Sequence, residues 1–151
     1  IRSMGTEEFL ADFESKYGVH HPIFHSGSYS EAMSEAQRTF KFLLVYLHSA
    51  EHTNTPAFCN DIICDRDVVE LLDELLVGWA RDIRGPDAYQ MSYSLRASTY
   101  PYVAVLGHIY GHIQFVAQIE GPTQKERFLS VSDIATCRKR HPEWDCQLAR
   151  I

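Results

Sequence analysis

The sequence is poor in cysteine. Only Cys59, Cys64, Cys137 and Cys146 occur in 151 residues, and no two of them form a C-x-x-C pair. A secreted domain held together by disulfides is normally much richer in cysteine, so a reducing compartment is the better interpretation. The chain is long enough to form one domain with its own hydrophobic core, without disulfides or a structural metal.

The sequence also lacks a long apolar run. No stretch approaches the length of a membrane span, and residues 1–4 are not followed by the apolar segment of a signal peptide. We therefore predict no membrane span in this chain. We also expect it to be a fragment of a larger protein, with any membrane anchor or partner domain outside it.

Basic charge is the third property in short supply. The chain has 14 Lys and Arg against 20 Asp and Glu, a formal net charge of −6, which argues against a general nucleic-acid-binding surface. Neither a G-x-x-x-x-G-K-[ST] phosphate loop nor a G-x-S-x-G nucleophile elbow occurs. Nucleotide-binding and hydrolase functions therefore have no support in the sequence.

The most informative stretch that is present begins with the apolar run Phe42–Leu47. The run is too short for an ordinary helix and carries aromatic and β-branched residues. It therefore predicts a strand buried on both faces at the centre of a sheet. A polar loop, residues 48–55, follows, and Pro56 begins a helix. Thioredoxin-like proteins carry their redox cysteines on this strand, loop and helix arrangement, but the loop here contains no cysteine.

Periodicity and end signals predict the remaining elements. The predicted helices are Thr6–Tyr17, Tyr29–Thr39, Pro56–Ile63, a short one capped by Asp65 or Asp67, Asp87–Ala97 and Gln124–Cys137. The predicted strands are Ile23–Phe24, Phe42–Leu47, Leu75–Ala80, for which a helix is the competing interpretation, Tyr100–Leu106 and His112–Ile119. This order predicts an α/β, thioredoxin-like fold with a central mixed sheet flanked by helices.

Cysteine and histidine are the side chains with the clearest chemical potential. Cys59 and Cys64 are five residues apart, about 140° around a helix, so we expect two buried apolar side chains rather than a redox pair. Two histidine pairs, His48 with His52 and His108 with His112, have a spacing of four. Neither pair lies on a firm helix, and no carboxylate or thiol is placed to complete either set. We therefore assign no metal site and no cofactor.

Several stretches resemble a known family. Phe13–Gly18 followed by His21-Pro22 resembles the entrance of the UAS domain in the FAS-associated-factor branch of the UBX-domain proteins. Further matches occur in order between Phe9 and Gly121: Gly27–Ala32, Phe42–His48, Phe58-Cys59 with Cys64, Trp79-Ala80 and Thr99–Pro101. The Tyr-Leu-His and Thr-Tyr-Pro stretches are most similar to the form tied to the endoplasmic reticulum and lipid droplets. The segment from Pro122 onward matches poorly, and neither a UBX domain nor the N-terminal membrane hairpin is in this chain.

The resemblance implies a function that residue spacing does not show. It implies a non-catalytic UAS domain, residues 1–137, followed by a tail or helix extension, residues 138–151. Such domains recognise long-chain unsaturated fatty acids and self-associate on binding them. The full-length protein would recruit the ATPase valosin-containing protein to ubiquitinated clients in endoplasmic-reticulum-associated degradation. The expected location is cytoplasmic, at the cytosolic face of the reticulum or of lipid droplets, through regions outside this chain.

Two alternatives to this function remain open. The first is a protein-interaction platform without a lipid response, suggested by the poor match after Pro122. The second is a thiol oxidoreductase that uses Cys59, suggested by the fold alone. The loop position where a thioredoxin-like nucleophile would lie has no cysteine, so we expect no catalytic residues.

Two sets of residues are candidates for a specific role. Pro101 begins a strand where thioredoxin-like folds commonly hold a cis-proline, so we expect a cis peptide bond with a structural role. Arg138, Lys139 and Arg140 form a basic cluster suited to a fatty-acid carboxylate or an anionic membrane surface. The alternative for this cluster is a solvated helix end, where cations suit the helix dipole.

Overall fold

The sheet is built around strand β1. The computed structural model describes residues 6–109 and 111–130. Within them β1, Phe42–His48, is buried at every position and pairs in parallel with β2, Leu76–Asp82. Strand β3, Tyr102–Ile109, pairs antiparallel with β1 on its other side and with β4, His112–Glu120. The order β2-β1-β3-β4 confirms the predicted mixed sheet with this apolar strand inside it.

Helices precede and follow the strands along the chain. They are α1 (Thr6–Tyr17), α2 (Tyr29–Arg38), α3 (Thr55–Phe58) with a π-helical turn (Cys59–Ile63), α4 (Arg66–Leu75) and α5 (Pro86–Ser94); residues 125–130 are also helical. Helix α5 ends earlier than predicted because Arg96 has a left-handed backbone, φ 56°. The predicted strand Ile23–Phe24 is reduced to a single bridge between Phe24 and Gly78. The boundary predicted at residue 137 lies outside the described residues.

Each face of the sheet has its own apolar core. Alternate residues of β1, beginning with Phe42, pack with α1, the π-helical turn and α4. The residues between them, beginning with Leu43, pack with α2, α5 and Trp79. Because both faces are covered, β1 has no solvent side and its sequence shows a continuous apolar run rather than an alternating one. No helix of the described residues combines the length and apolar character that a bilayer crossing requires.

The predicted capping signals are present at two helix starts. At α2 the Ser28 hydroxyl accepts a hydrogen bond from the Glu31 amide, and the Glu31 carboxylate accepts one from the Ser28 amide. These reciprocal bonds satisfy amides that the first helical turn leaves without partners. Of the two caps considered for α4, Asp65 is the one that acts, since its side chain accepts from the amides of Asp67 and Val68.

The segment that carries Cys59 and Cys64 differs from the prediction. The single helix expected over Pro56–Ile63 is a short α-helix that continues as a π-helical turn. The Cys64 amide donates to the Cys59 carbonyl, 3.0 Å away, five residues earlier in the chain. The separation of 140° expected for an α-helix is therefore wrong here, since a π-helical turn contains more residues. Both cysteines are nevertheless free thiols, as expected.

Candidate functional site

Strands β1 and β2 end side by side at a small polar cluster. His48 and Asp82 are the last residues of these parallel strands, and their Cα atoms are register partners. Helix α1 lies over the same face of the sheet and adds Asp12. One ligand atom from each of the three side chains lies within 4.8 Å of the others. We refer to Asp12, His48 and Asp82 as the strand-end cluster.

His48 is a fully buried member of the cluster. It is 1% exposed, and its ring meets the Phe9 ring edge to face at a centroid distance of 5.3 Å. Nδ1 shares a hydrogen bond of 2.8 Å with the Tyr46 hydroxyl, whereas Nε2 has no hydrogen-bond partner among the described residues. Burial lowers the pKa of His48 to about 4, although Asp82 and Asp12 oppose that shift. The imidazole is therefore neutral at physiological pH.

The two carboxylates are held by cations. Asp82 is buried and accepts hydrogen bonds from the Arg84 amide at 2.9 Å, Nε at 3.0 Å and Nη2 at 2.7 Å. Burial opposes its ionisation, but the Arg84 hydrogen bonds and charge outweigh burial and lower the pKa of Asp82. Asp12 Oδ2 lies 3.5 Å from Lys16 Nζ and 3.9 Å from Arg84 Nη2. That oxygen is buried and makes no hydrogen bond to the described residues.

The loop after β1 is closed by its own hydrogen bonds. The Thr55 hydroxyl donates to the Ser49 carbonyl at 2.6 Å, and the Thr55 amide donates to the His52 carbonyl at 3.1 Å. The Tyr100–Pro101 peptide bond is cis, the isomer that the sequence analysis expected. The Tyr100 ring lies 6.4 Å from the His52 ring, centroid to centroid, so this proline segment does face the loop.

Cys59 is the first cysteine after this loop in the sequence, and it is buried. Its Sγ lies 3.4 Å from the Tyr46 hydroxyl. Burial raises the pKa of the Cys59 thiol to about 12. Cys64 is only half-buried, less than predicted, and its Sγ lies 3.8 Å from the Tyr17 carbonyl oxygen. A thiol must ionise to act as a nucleophile, so this environment is unsuited to disulfide exchange at neutral pH.

The histidine pairs do not form the sites that their spacing suggests. His52 lies in the loop, His112 is exposed, and His108 lies beside the Gln37 amide with 3.5 Å between Nε2 and Nδ1. Among the described residues only His48 joins a group of three possible metal ligands. The basic cluster Arg138, Lys139 and Arg140 lies outside the described residues.

The sequence analysis missed the two carboxylates beside His48. Asp12 lies on α1, before β1 in the sequence, and Asp82 ends β2, after it, so no local spacing links either residue to His48. A signal was nevertheless available. Polar residues at the carboxyl ends of two neighbouring parallel strands meet at one edge of the sheet. His48 directly follows one apolar run predicted as such a strand, and Asp82 is the second residue after the other.

Comparison with known proteins identifies the family. Residues 9–105 match the family model described as Fas-associated factor 1. This chain belongs to the Fas-associated factor family. FAS-associated factor 2 of Rattus norvegicus is 36% identical over 122 residues, which is 81% of this chain and 35% of that protein. The Homo sapiens FAS-associated factor 2 is 35% identical over the same share of this chain and 27% of its own length.

A plant relative extends the family match. Plant UBX domain-containing protein 10 of Arabidopsis thaliana is 35% identical over 128 residues, 82% of this chain and 27% of that protein. These matches confirm the resemblance to the FAS-associated-factor branch of the UBX-domain proteins that the sequence analysis described. The aligned part spans only 27% to 35% of these relatives.

Solved structures confirm the fold. A thioredoxin from Thermus thermophilus superposes with a TM-score of 0.71 over 83% of this chain and 95% of that chain, at 18% identity. DsbH oxidoreductase gives a TM-score of 0.62 over 78% of this chain and 88% of that chain, at 12% identity. At these identities the likeness establishes a thioredoxin-like fold and carries no information about activity.

Proposed function

We propose that this Fas-associated factor chain is a non-catalytic UAS domain of a UBX adaptor in ubiquitin-dependent, endoplasmic-reticulum-associated degradation. In the full-length protein it would act with the ATPase valosin-containing protein on ubiquitinated clients. Its location would be the cytosolic face of the reticulum or of lipid droplets. The domain itself would sense long-chain unsaturated fatty acids and self-associate on binding them.

One observation carries the non-catalytic part of the proposal. The thioredoxin-like fold is kept, yet the loop after β1 contains no cysteine and the neighbouring Cys59 thiol is buried with a raised pKa. The alternative of a thiol oxidoreductase requires an accessible thiolate, which this site opposes. A scaffold retained without its reactive group is suited to binding.

An insulin-disulfide reduction assay tests the non-catalytic part. We expect no turnover above the background set by dithiothreitol, with an active thioredoxin as the positive control. Turnover in the wild type that is lost in Cys59→Ser would establish the oxidoreductase alternative. Turnover that persists in Cys59→Ser would exclude that residue and still contradict a non-catalytic domain.

The lipid part needs an apolar surface and a positive charge. Ile113 and Phe115 lie on one face of β4, at the end of the described sheet, and both are exposed. Exposed apolar side chains on an edge strand support an acyl-chain contact or association between copies. The charge would come from Arg138, Lys139 and Arg140, which are candidates on sequence grounds alone.

Light scattering coupled to size exclusion tests the lipid part. We expect large species with oleate and no change with stearate, because the proposed response depends on unsaturation. The variant Arg138→Gln, Lys139→Gln, Arg140→Gln should weaken the oleate response. The matched control Arg66→Gln, Arg96→Gln, Arg127→Gln, which removes three exposed cations elsewhere, should retain it. Equal responses to both fatty acids would contradict sensing.

A second candidate is a protein-interaction platform without a lipid response. Tyr89 and Tyr93, one helical turn apart on α5, are 68% and 82% exposed. Tyrosine is enriched at protein interfaces because it offers a large rigid contact area at low entropic cost. No change in species size with either fatty acid would favour this candidate. An oleate-dependent shift would reject it.

A further inference from the structure

The strand-end cluster combines three donor atoms of kinds that bind metals. Asp12 and Asp82 offer carboxylate oxygens and His48 offers an imidazole nitrogen, all within 4.8 Å of one another. Ligands around a tetrahedral zinc ion, at about 2.0 to 2.2 Å from the metal, are about 3.4 Å apart. Small side-chain movements would bring these atoms to that geometry. We propose that Asp12, His48 and Asp82 form a binding site for a divalent transition-metal ion, for which Zn²⁺ is the best match.

Two atoms of the cluster carry this inference beyond a group of acidic residues. His48 Nε2 and Asp12 Oδ2 are both buried and have no hydrogen-bond partner among the described residues. Burying an unsatisfied polar atom is costly, and such atoms normally mark an ion, a water or a function. A cation placed between them would accept a lone pair from each. The mixed nitrogen and oxygen donors favour a first-row transition metal over Mg²⁺ or Ca²⁺.

The surroundings orient the proposed ligands. The Tyr46 hydroxyl lies 2.8 Å from His48 Nδ1, so a proton on Nδ1 leaves Nε2 as the free lone pair that a metal requires. The same hydroxyl can then donate to Cys59 Sγ at 3.4 Å. Arg84 holds the Asp82 carboxylate through hydrogen bonds from Nε and Nη2. Hydrogen bonds of this kind to ligating histidines and carboxylates are typical of metal centres.

Two cations compete with a bound metal. Lys16 Nζ lies 3.5 Å from Asp12 Oδ2, and Arg84 Nη2 lies 3.9 Å from the same oxygen. Both side chains are half-exposed, so each can turn into solvent when a metal arrives. Their charges must weaken the binding of a divalent ion. Removing the one that does not hold Asp82, with Lys16→Gln, should therefore tighten metal binding about tenfold.

Calorimetric titration with ZnCl₂ at neutral pH tests the site. We expect one site in the wild type that Asp12→Asn and His48→Gln each weaken at least about tenfold. The matched controls Asp61→Asn and His20→Gln change an exposed carboxylate and an exposed imidazole, and they should bind as the wild type does. Asp12 is only half-buried, so its variant keeps a test available even where His48→Gln fails to fold.

A cobalt spectrum distinguishes this site from the cysteines. Co²⁺ bound to nitrogen and oxygen ligands should show d–d bands without an intense thiolate charge-transfer band. Absence of Zn²⁺ binding in the wild type would overturn the proposal. So would equal binding by Asp12→Asn and the wild type, or a thiolate band, because either result places the metal elsewhere. The proposal does not depend on the adaptor function.

Discussion

The buried thiol of Cys59 offers a quantitative test of the proposal that this domain has no redox activity. Burial raises its pKa to about 12, against about 8.5 for a free cysteine. At pH 8 about one Cys59 thiol in ten thousand is therefore ionised, compared with about one in four for the free amino acid. Since only the thiolate attacks iodoacetamide, we expect alkylation of Cys59 to be about 10³-fold slower than that of an unhindered cysteine.

The measurement uses a variant in which Cys59 is the single thiol. Cys64→Ser, Cys137→Ser and Cys146→Ser remove the others, and mass spectrometry follows carbamidomethylation under native conditions and in concentrated guanidinium. The denatured protein supplies the unhindered rate for the same thiol. Native alkylation within about tenfold of the denatured rate would refute the reasoning, because it would show an accessible thiolate.

Three further predictions concern stability. The folded-state pKa of Cys59, about 12, exceeds the unfolded value, so its contribution to the free energy of unfolding is complete below about pH 8.5 and is lost as pH rises. Urea titrations between pH 9 and 11 should show the wild type losing about 1.4 kcal/mol per pH unit more than Cys59→Ala. Ser28→Ala should lower the free energy of unfolding by about 1 kcal/mol, because the Glu31 amide loses its acceptor, while Ser30→Ala should have little effect. Phe40→Gly should raise the melting temperature and the free energy of unfolding, the latter by about 0.5 to 1 kcal/mol, because Phe40 is 78% exposed and has a φ of 58° that glycine adopts without strain. An unchanged or lower melting temperature would contradict this.

The fold follows from local patterns in the sequence to a large extent. The run Phe42–Leu47 has no polar alternation, and the structure explains this by covering both faces of β1. The capping box at Ser28 and Glu31 marks the start of α2 because both hydrogen bonds form between residues three apart. Such short-range patterns can be recognised in the sequence because the interacting groups are neighbours in the chain.

Local patterns were less informative where backbone geometry changes without a sequence marker. The π-helical turn at Cys59–Ile63 replaced a regular helix, and nothing in its composition distinguishes the two. Helix α5 ended early at Ser94 although the following residues remain compatible with a helix. In both places the backbone departs from a regular α-helix without a glycine or proline to mark the change.

The sequence by itself determined most of the elements, the α/β class and the absence of a cysteine from the loop after β1, since each depends on residues close together in the chain. Only the tertiary structure decided the strand-end cluster. Parallel pairing of β1 with β2 places His48 beside Asp82, and the packing of α1 on the same face adds Asp12. His48 Nε2 is left without a partner, and the pKa of Cys59 is raised, because both side chains are buried. That burial arises where α1, β1 and the π-helical turn pack together. A linear pattern cannot encode that dielectric environment, because it belongs to the packed core rather than to any one segment.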